Sequence, residues 1–192
     1  MTAGENPFRS ARVTGLGFCW PEGGSMAVLM AEWRSAGCRG AVAGAKGNGK
    51  STLLREWMAA LAEEGWVCWA LRLTEESPRL PRKLAPPVGS DGRPVCAVLD
   101  GAEQMGWVDR RRWRRVVRRL QGEIQTCHDP RGARLPVLWT LEAGPAQVED
   151  LLGQLLGGAR GRVPESAAEL LAAHQGDVRQ LLRSLYDRAA GW

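Results

Sequence analysis

The residues with the clearest potential for chemistry are nine consecutive positions, GAKGNGKST, residues 44–52. The stretch matches the pattern G-x-x-x-x-G-K-[ST] at every position. Glycines allow backbone N–H groups to turn inward around an anion, because no Cβ blocks the approach. The predicted chemistry is the binding of a phosphate chain, by Gly44, Ala45, Lys46, Gly47, Asn48, Gly49, Lys50, Ser51 and Thr52. The plain alternative is a glycine-rich turn before a helix.

Two of these residues have individual roles in such a loop. The Lys50 ammonium group can bridge neighbouring phosphates, and the Ser51 hydroxyl can join the ligand shell of Mg²⁺. A second metal-side group is usually an acidic residue that ends a neighbouring strand. Asp100 ends the apolar run VCAVLD, residues 95–100, and is the predicted partner of Ser51 at the metal. The plain alternative for Asp100 is an aspartate that only caps a helix or a turn.

The flanking patterns give these residues the elements that they need. The short apolar run AVAG precedes the loop, and an amphipathic helix follows it, with its apolar stripe on Leu53, Leu54, Trp57, Met58 and Leu61. Further strands are predicted at 66–73, 95–100 and 137–142, with a possible short edge strand at 160–165. A second strong helix is predicted over 107–125, and a helical pair broken at Gly176 ends the chain.

Strands that alternate with helices predict an α/β fold, a parallel β-sheet of about five strands flanked by helices, with a short C-terminal helical lid. Ligands of such sheets lie at the carboxyl ends of the strands. We expect three segments: residues 1–23 as an N-terminal segment, 24–163 as the core and 164–192 as the lid. Residues 74–94 contain five prolines and predict a long loop.

Composition indicates a globular protein of the reducing cytoplasm. The chain has 192 residues, of which 44% are hydrophobic and 24% charged. It has no apolar run near the ~20 residues needed to span a bilayer, and the N-terminal residues predict no secretory signal. Its five cysteines are scattered, which favours free thiols. The formal net charge is +5, and only three of the 26 basic residues are lysines.

Together, the loop and Asp100 make residues 40–190 resemble the P-loop NTPases. The resemblance is to the division of this superfamily that includes AAA+ and STAND proteins. In that division, an additional strand lies between the strand before the phosphate-binding loop and the strand that ends in the acidic residue. Many relatives place a catalytic glutamate directly after the aspartate. This chain has DGAEQ instead, with Gly101 at that position and Glu103 three residues after Asp100. That arrangement is similar to NACHT-type STAND proteins.

The resemblance implies further site residues and a ligand. Glu103 would orient the attacking water, Thr140 would sense the γ-phosphate, and Arg179, in a GxxR-like segment, would close a helix over the nucleotide. Each of the three could also have no catalytic role. Glu103 would then be an exposed glutamate in the first turn of a helix, Thr140 a threonine at a strand end, and Arg179 an exposed arginine. Asn6, Pro7 and Phe8 would lie beside the adenine. No NKxD-like guanine-binding segment is present, which favours ATP.

The resulting functional prediction is a protein that binds Mg-ATP and hydrolyses it as a motor or switch. A non-hydrolysing ATP-dependent switch or adaptor is the alternative, because the usual glutamate position is vacant. A small-molecule kinase is disfavoured, since no acceptor-binding motif is evident. The partner is not encoded, and an oligomer is compatible with the resemblance.

The predicted helix over 107–125 is rich in arginine. It contains DRRRWRRVVRRL, with arginines at 110, 111, 112, 114, 115, 118 and 119. A face with Arg110, Arg111, Arg114, Arg115 and Arg118 could bind nucleic acid through its phosphates, or an acidic protein. It could equally be a solvent-exposed face without a partner, rich in arginine because of a coding bias in the genome. All three possibilities stay open at this point.

Overall fold

The computed structural model describes residues 6–21, 23–87 and 92–191. Its strands are β1 (Arg39–Gly44), β2 (Val67–Arg72), β3 (Val95–Asp100), β4 (Gly122–Cys127) and β5 (Val137–Leu141). Its α-helices are α1 (Ser10–Gly15), α2 (Met26–Ser35), α3 (Lys50–Glu63), α4 (Trp107–Val117), α5 (Pro145–Leu156), α6 (Ala167–Ala173) and α7 (Val178–Ala189). Short 3₁₀ helices span Ala102–Gln104, Pro130–Gly132 and Gly157–Arg162.

The five strands form one sheet with the order β2-β3-β4-β1-β5. Every neighbouring pair is parallel. The carboxyl ends of the strands therefore meet at one edge, where Arg72 pairs with Asp100 and Ala43 pairs with Cys127. The predicted fold class, a parallel sheet of about five strands flanked by helices, is confirmed. One strand, β4, lies between β1 and β3, as the resemblance implied.

Strand β4 was not predicted, and the helix expected over 107–125 is wrong in its second half. Helix α4 ends at Val117. Gly122 begins β4 at a close approach, since a Cβ there would lie 2.7 Å from Cζ2 of Trp33. Glu123 is a charged residue inside a central strand, which hid the strand pattern of GEIQTC.

The buried Glu123 carboxylate is stabilised by a complete set of donors. Its Oε1 accepts a hydrogen bond from Nε1 of Trp113 at 2.7 Å and another from Nε2 of Gln125. Its Oε2 accepts from Nη1 of Arg39 at 2.8 Å. A buried charge is tolerated when it is paired and hydrogen-bonded, so β4 can run through the middle of the sheet. The same contacts fix α4 against the sheet through Trp113.

The edge strand expected at 160–165 is also wrong. Residues Gly157–Arg162 form a 3₁₀ helix instead. The chain leaves α5 through Gly157, whose φ is 52°, a conformation that few residues other than glycine adopt. The sheet still has the five strands that were expected, because the unpredicted central strand β4 makes up for the missing edge strand in the count.

Three hydrophobic clusters organise the packing. One fills the face between the sheet and helices α2 and α3, where Trp33 and Trp57 meet edge to face with centroids 5.5 Å apart. A second lies under α4 and includes Trp113 and Leu80. The third joins α5, α6 and α7 and includes Phe8. The helical pair broken at Gly176 is present, and it shares its core with α5 as well as with the N-terminal segment.

None of the helices in residues 6–21, 23–87 and 92–191 has the length and apolar content to cross a membrane. The five cysteines all lie within these ranges and are free thiols. The predicted segment 1–23 falls partly outside the described residues, which omit 1–5 and 22.

Candidate functional site

Residues 45–49 form the loop that leads from β1 into α3, at the carboxyl edge of the sheet. Gly47 has φ 93° and Gly49 has φ 83°, which is the region that favours glycine. A Cβ on Gly47 would lie 2.3 Å from Oδ1 of Asp177, and a Cβ on Gly44 would lie 2.7 Å from the carbonyl oxygen of Leu141. Backbone conformation and lack of space thus explain why the loop has glycine at these positions.

Helix α3 begins at the end of this loop with an open N-terminus. Gly49 is its N-cap residue, no side chain caps its first turn, and that turn contains no acidic residue. The first N–H groups of a helix have no partner within the helix, and they carry a positive partial charge. The geometry leaves these donors free to bind an anion held by the loop.

Lys50 is almost buried at the centre of the loop, with 8% of the residue exposed. Its Nζ donates hydrogen bonds to the carbonyl oxygens of Gly44 and Ala45, at 2.5 and 2.8 Å. Burial lowers the pKa of this ammonium group, while the nearby carboxylates of Glu103 and Asp100 act in the opposite direction. An anion in the cleft would offset the cost of burying the charge, as expected for a phosphate-binding lysine.

Ser51 and Asp100, the two predicted metal-side residues, lie in direct contact. The Ser51 hydroxyl donates to Oδ2 of Asp100 at 2.7 Å, and the Thr126 hydroxyl donates to Oδ1 at 2.7 Å. Hydroxyl and carboxylate oxygens are the ligands that Mg²⁺ takes beside phosphate and water. Within the described ranges, no group of three or more His, Cys, Asp or Glu could hold a metal. A cation at Ser51 and Asp100 would therefore need phosphate and water oxygens to complete its shell.

Gly101 explains why no glutamate follows Asp100 directly. Its φ is 86°, and a Cβ there would lie 2.4 Å from the carbonyl oxygen of Leu73. The Gly101 N–H donates to Oγ1 of Thr126 at 2.9 Å, which holds the turn against β4. No side chain fits at position 101 without moving the backbone of the residue after β2.

Glu103 is the carboxylate that reaches the cleft instead. It lies in the short 3₁₀ helix after β3, and its Oε1 is 3.1 Å from Nε2 of His128. Its Oε2 is buried and has no hydrogen-bond partner among the described residues. A buried carboxylate oxygen without a donor is costly, so this atom is well placed to accept a hydrogen bond from a water molecule.

Thr126 and His128, which the sequence analysis did not select, belong to this site. Both depend on β4, which was predicted as the end of a helix. Thr126 is buried at 0% exposure and bonds both to Asp100 and to the backbone of Gly101. The available signal was Gly122 followed by the β-branched residues Ile124 and Thr126, a pattern that favours a strand over a helix.

Arg179 lies at the start of α7, whose N-terminus docks on the phosphate loop. Asp177 caps this helix, since its Oδ1 accepts from the N–H groups of Arg179 and Gln180 at 2.9 and 3.0 Å. The same Oδ1 is the atom that a Cβ on Gly47 would meet. Arg179 lines the cleft together with Lys50 and Asp100, so the structure brings it beside the predicted phosphate site.

Thr140 is not brought to the same place. It lies on β5 at the edge of the sheet, on the far side of β1 from β3 and β4. The resemblance implied that Thr140 senses the γ-phosphate, but the strand beside β3 is β4 and not β5. Thr140 lines a second cavity, which is not the cleft that contains Asp100 and Glu103.

The two cavities meet at the phosphate loop. The cleft beside Lys50, Asp100 and Glu103 has a volume of about 1130 Å³. The second cavity has a volume of about 400 Å³ and largely apolar walls. Its walls come from the N-terminal segment, β5, α5 and α7, and include Val13, Leu16, Phe18, Trp139, Leu151 and Leu182. Gly47, Gly49 and Thr52 line both cavities, so one elongated ligand could occupy the two together.

The N-terminal residues proposed to lie beside a base are only partly at these cavities. Asn6 is buried, and its side-chain amide donates to the carbonyl oxygen of Tyr186 on α7 at 2.9 Å. Phe8 is buried in the cluster of the C-terminal helices and also borders the cleft. Both residues attach the N-terminal segment to α7. The residues of that segment that line the apolar cavity are Val13, Leu16, Gly17, Phe18, Cys19 and Pro21.

The arginines of α4 divide into two groups. Arg112 is paired with Asp109 at 2.8 Å and donates to the carbonyl oxygens of Pro81 and Arg82. Arg110 is half-buried and points toward the carbonyl oxygen of Glu103, at 3.5 Å. The remaining arginines of this segment are exposed: Arg111, Arg114, Arg115, Arg118 and Arg119.

Comparison with known proteins adds one finding. No family model and no curated protein matches the chain. Among solved structures, it is similar to the crystal structure of Cdc6p from Pyrobaculum aerophilum, with a TM-score of 0.57 and 13% sequence identity. The match covers 93% of this chain and 65% of that chain. At this identity the likeness shows the fold alone, a five-stranded parallel sheet flanked by helices.

Proposed function

We propose that this chain binds Mg-ATP in the cleft and the adjoining cavity, and that it hydrolyses the nucleotide. The observation that carries the proposal is the contact between Ser51 and Asp100, 2.7 Å long, directly beside the almost buried Lys50. A glycine turn without a ligand would need neither the buried ammonium group nor the paired oxygens. The nucleotide supplies the phosphate anion, and Mg²⁺ would neutralise part of its charge.

In this proposal the loop residues bind the phosphate chain, while Ser51 and Asp100 bind Mg²⁺. The phosphate chain would accept hydrogen bonds from backbone N–H groups of the loop and of the first turn of α3. The residues concerned are Gly44, Ala45, Lys46, Gly47, Asn48, Gly49 and Thr52. Lys50 would exchange its two carbonyl partners for phosphate oxygens. Ser51 and Asp100 would hold Mg²⁺, while Thr126 keeps the Asp100 carboxylate oriented through its hydrogen bond of 2.7 Å.

The apolar cavity is the proposed site of the base. It borders Gly47, Gly49 and Thr52, and Phe18 and Trp139 contribute aromatic surface to its wall. Trp20 packs edge to face against both of these rings, with centroid distances of 5.0 and 6.1 Å. Thr140 lies in the same wall, so we assign it to the base side rather than to the γ-phosphate. Adenine suits a largely apolar cavity of about 400 Å³.

Hydrolysis is proposed to depend on Glu103. Its free oxygen would accept a hydrogen bond from the attacking water, and His128 would keep the carboxylate in position through the contact of 3.1 Å. Catalysis of this type is positioning and electrostatic stabilisation, without a covalent enzyme intermediate. Arg179, at the N-terminus of α7, would place a second positive charge over the phosphates and link the helical lid to nucleotide binding.

A non-hydrolysing ATP-dependent switch is the second candidate, and the glycine at position 101 favours it. Release of phosphate by the wild type and by Glu103→Gln distinguishes the two functions. We expect measurable turnover by the wild type, a loss of about 100-fold or more in the variant, and equal ATP affinity. If the wild type binds ATP but releases no phosphate, alone or with a partner, the switch is correct and the ATPase is not.

A further inference from the structure

Helix α4 presents a strongly basic surface that the nucleotide site does not use. We define the α4 basic face as the exposed residues Arg111, Arg114 and Arg115 of α4 together with Arg118 and Arg119, which directly follow its last turn. None of the five has an ion pair within the described part of the chain. The acidic residue of this helix, Asp109, is already paired with Arg112. The face therefore has five positive charges with no balancing carboxylate.

An exposed tryptophan continues this face at the start of the helix. Trp107 is 79% exposed, the most exposed of the large hydrophobic residues described. With Arg111, Arg114 and Arg118 it follows the spacing i, i+4, i+7 and i+11, which places the four residues on one side of a helix. At a rise of 1.5 Å per residue, the line from Trp107 to Arg118 is about 16 Å long. The exposed indole ring therefore adds a flat apolar surface at one end of a row of guanidinium groups.

The helix that carries the face is held rigidly. Trp113 is 1% exposed and stacks on Trp69 with centroids 5.3 Å apart. Arg112 donates to the carbonyl oxygens of Pro81 and Arg82, at 2.7 and 2.6 Å, which fixes the proline-rich segment beside α4. That segment adds the exposed basic residues Arg79, Arg82 and Lys83. The charges are thus pre-positioned on a fixed element and extend onto the neighbouring loop.

We propose that the α4 basic face binds single-stranded nucleic acid. The exposed arginines would neutralise successive phosphates, and Trp107 would stack on an unpaired base at one end of the row. Basic residues that follow the backbone, combined with an aromatic stacking platform, are the means by which proteins bind single strands without reading their sequence. The inference does not depend on the nucleotide site, because none of these residues lines the cleft.

Charge complementarity favours a nucleic acid over an acidic protein. A phosphate backbone presents one negative charge at every repeat, whatever its sequence, and so matches a row of arginines that lies on one side of a helix. An acidic protein would have to present several carboxylates in the same arrangement. A duplex keeps its bases stacked internally, so it would contact the arginines without using Trp107. The free bases of a single strand use both features.

Fluorescence anisotropy with a labelled 20-nucleotide oligo(dT) tests the proposal at several salt concentrations, without ATP. The triple variant R111Q/R114Q/R118Q is compared with the matched triple R9Q/R131Q/R134Q, which removes the same charge from exposed positions in other segments of the chain. We expect the first triple to lose tenfold or more in affinity. The slope of log K against log salt concentration should become shallower by about 2, because each of the three lost phosphate contacts contributes about 0.7. The matched triple should bind within threefold of wild type.

Trp107 provides the test that is specific for a single strand. Trp107→Ala should weaken oligo(dT) binding about tenfold and leave a 20-base-pair duplex unaffected, while Trp107→Phe keeps most of the affinity. Circular dichroism confirms folding, which these exposed positions should not alter. Equal losses in both arginine triples, or no effect of Trp107→Ala, would overturn the proposal. Binding to phosphatidylserine vesicles but not to oligo(dT) would also overturn it and assign the face to a membrane.

Discussion

In the cleft, Asp100 accepts hydrogen bonds from Ser51 and Thr126, and Lys50 donates to two carbonyl groups. On the α4 basic face, Arg111 and its four neighbours have no ion pair within the described chain. Both regions are charged, but the cleft depends on fixed distances and the helix face depends on the number of charges. Substitutions in the cleft should therefore act one residue at a time, whereas those on α4 should act in proportion to the charge removed.

Among single substitutions at the cleft, the largest effect on stability is expected at Gly101. Gly101→Ala introduces a Cβ at φ 86°, where it would lie 2.4 Å from the carbonyl oxygen of Leu73. A left-handed conformation alone costs about 1–2 kcal/mol for a residue with a Cβ, and the overlap adds to it. We expect unfolding at a temperature lower by roughly 4–8 °C, measured by thermal denaturation.

Gly153→Ala is the matched control, because a Cβ at this position in α5 meets nothing within 4 Å. Alanine is the better helix former by about 0.5–1 kcal/mol, so this variant should be as stable as the wild type or more stable. If both glycine variants behaved alike, the fixed geometry assigned to the turn after Asp100 would be wrong.

The contact between Glu103 and His128 should give the next effect. His128→Ala leaves the Glu103 carboxylate without the partner at 3.1 Å, and we expect turnover to fall about tenfold with KM for ATP unchanged. His128→Gln can still donate a hydrogen bond and should retain more of the rate. A rise in KM without a change in kcat would indicate that His128 acts in binding and would remove its positioning role.

A smaller effect distinguishes two arginines on the same helix. Arg112→Gln loses the ion pair with Asp109 and the hydrogen bonds to Pro81 and Arg82, at a cost of about 1 kcal/mol. Arg111→Gln removes an equal charge from the exposed face and should change stability by less than about 0.5 kcal/mol. Urea denaturation measures both variants. Equal losses would mean that the exposed arginines are also structural.

The features that could be predicted from the sequence are those whose signal lies within a short stretch of the chain. The loop at 44–52 and the end of the strand at Asp100 were predictable because each motif lies within a few residues of the chain. Strand β4 was missed because Glu123 is charged and its burial depends on the ion pair with Arg39, which lies 84 residues away in the sequence. The roles of Thr126 and His128 were missed for the same reason, since both depend on β4.

The smallest effect on turnover is expected at Thr140. The resemblance implied a role at the γ-phosphate for this residue, but the structure places it in the wall of the apolar cavity. Thr140→Val removes a hydroxyl group on β5 that lies in the wall of the apolar cavity and outside the cleft. We expect turnover to stay within twofold of wild type, measured by phosphate release at saturating ATP. A large loss of rate would restore the predicted γ-phosphate role and would contradict the division between the two cavities.

The central claim, that the loop and Lys50 bind ATP, is tested most directly by titrating labelled Mg-ATP against wild type, Lys50→Ala and Lys50→Met. Burial lowers the pKa of the Lys50 ammonium group, so the buried charge itself opposes folding, and Lys50→Met removes this charge while it keeps most of the buried volume. We predict that both variants stay folded and lose about 100-fold or more in affinity. Equal affinity of the folded variants and the wild type would contradict the account.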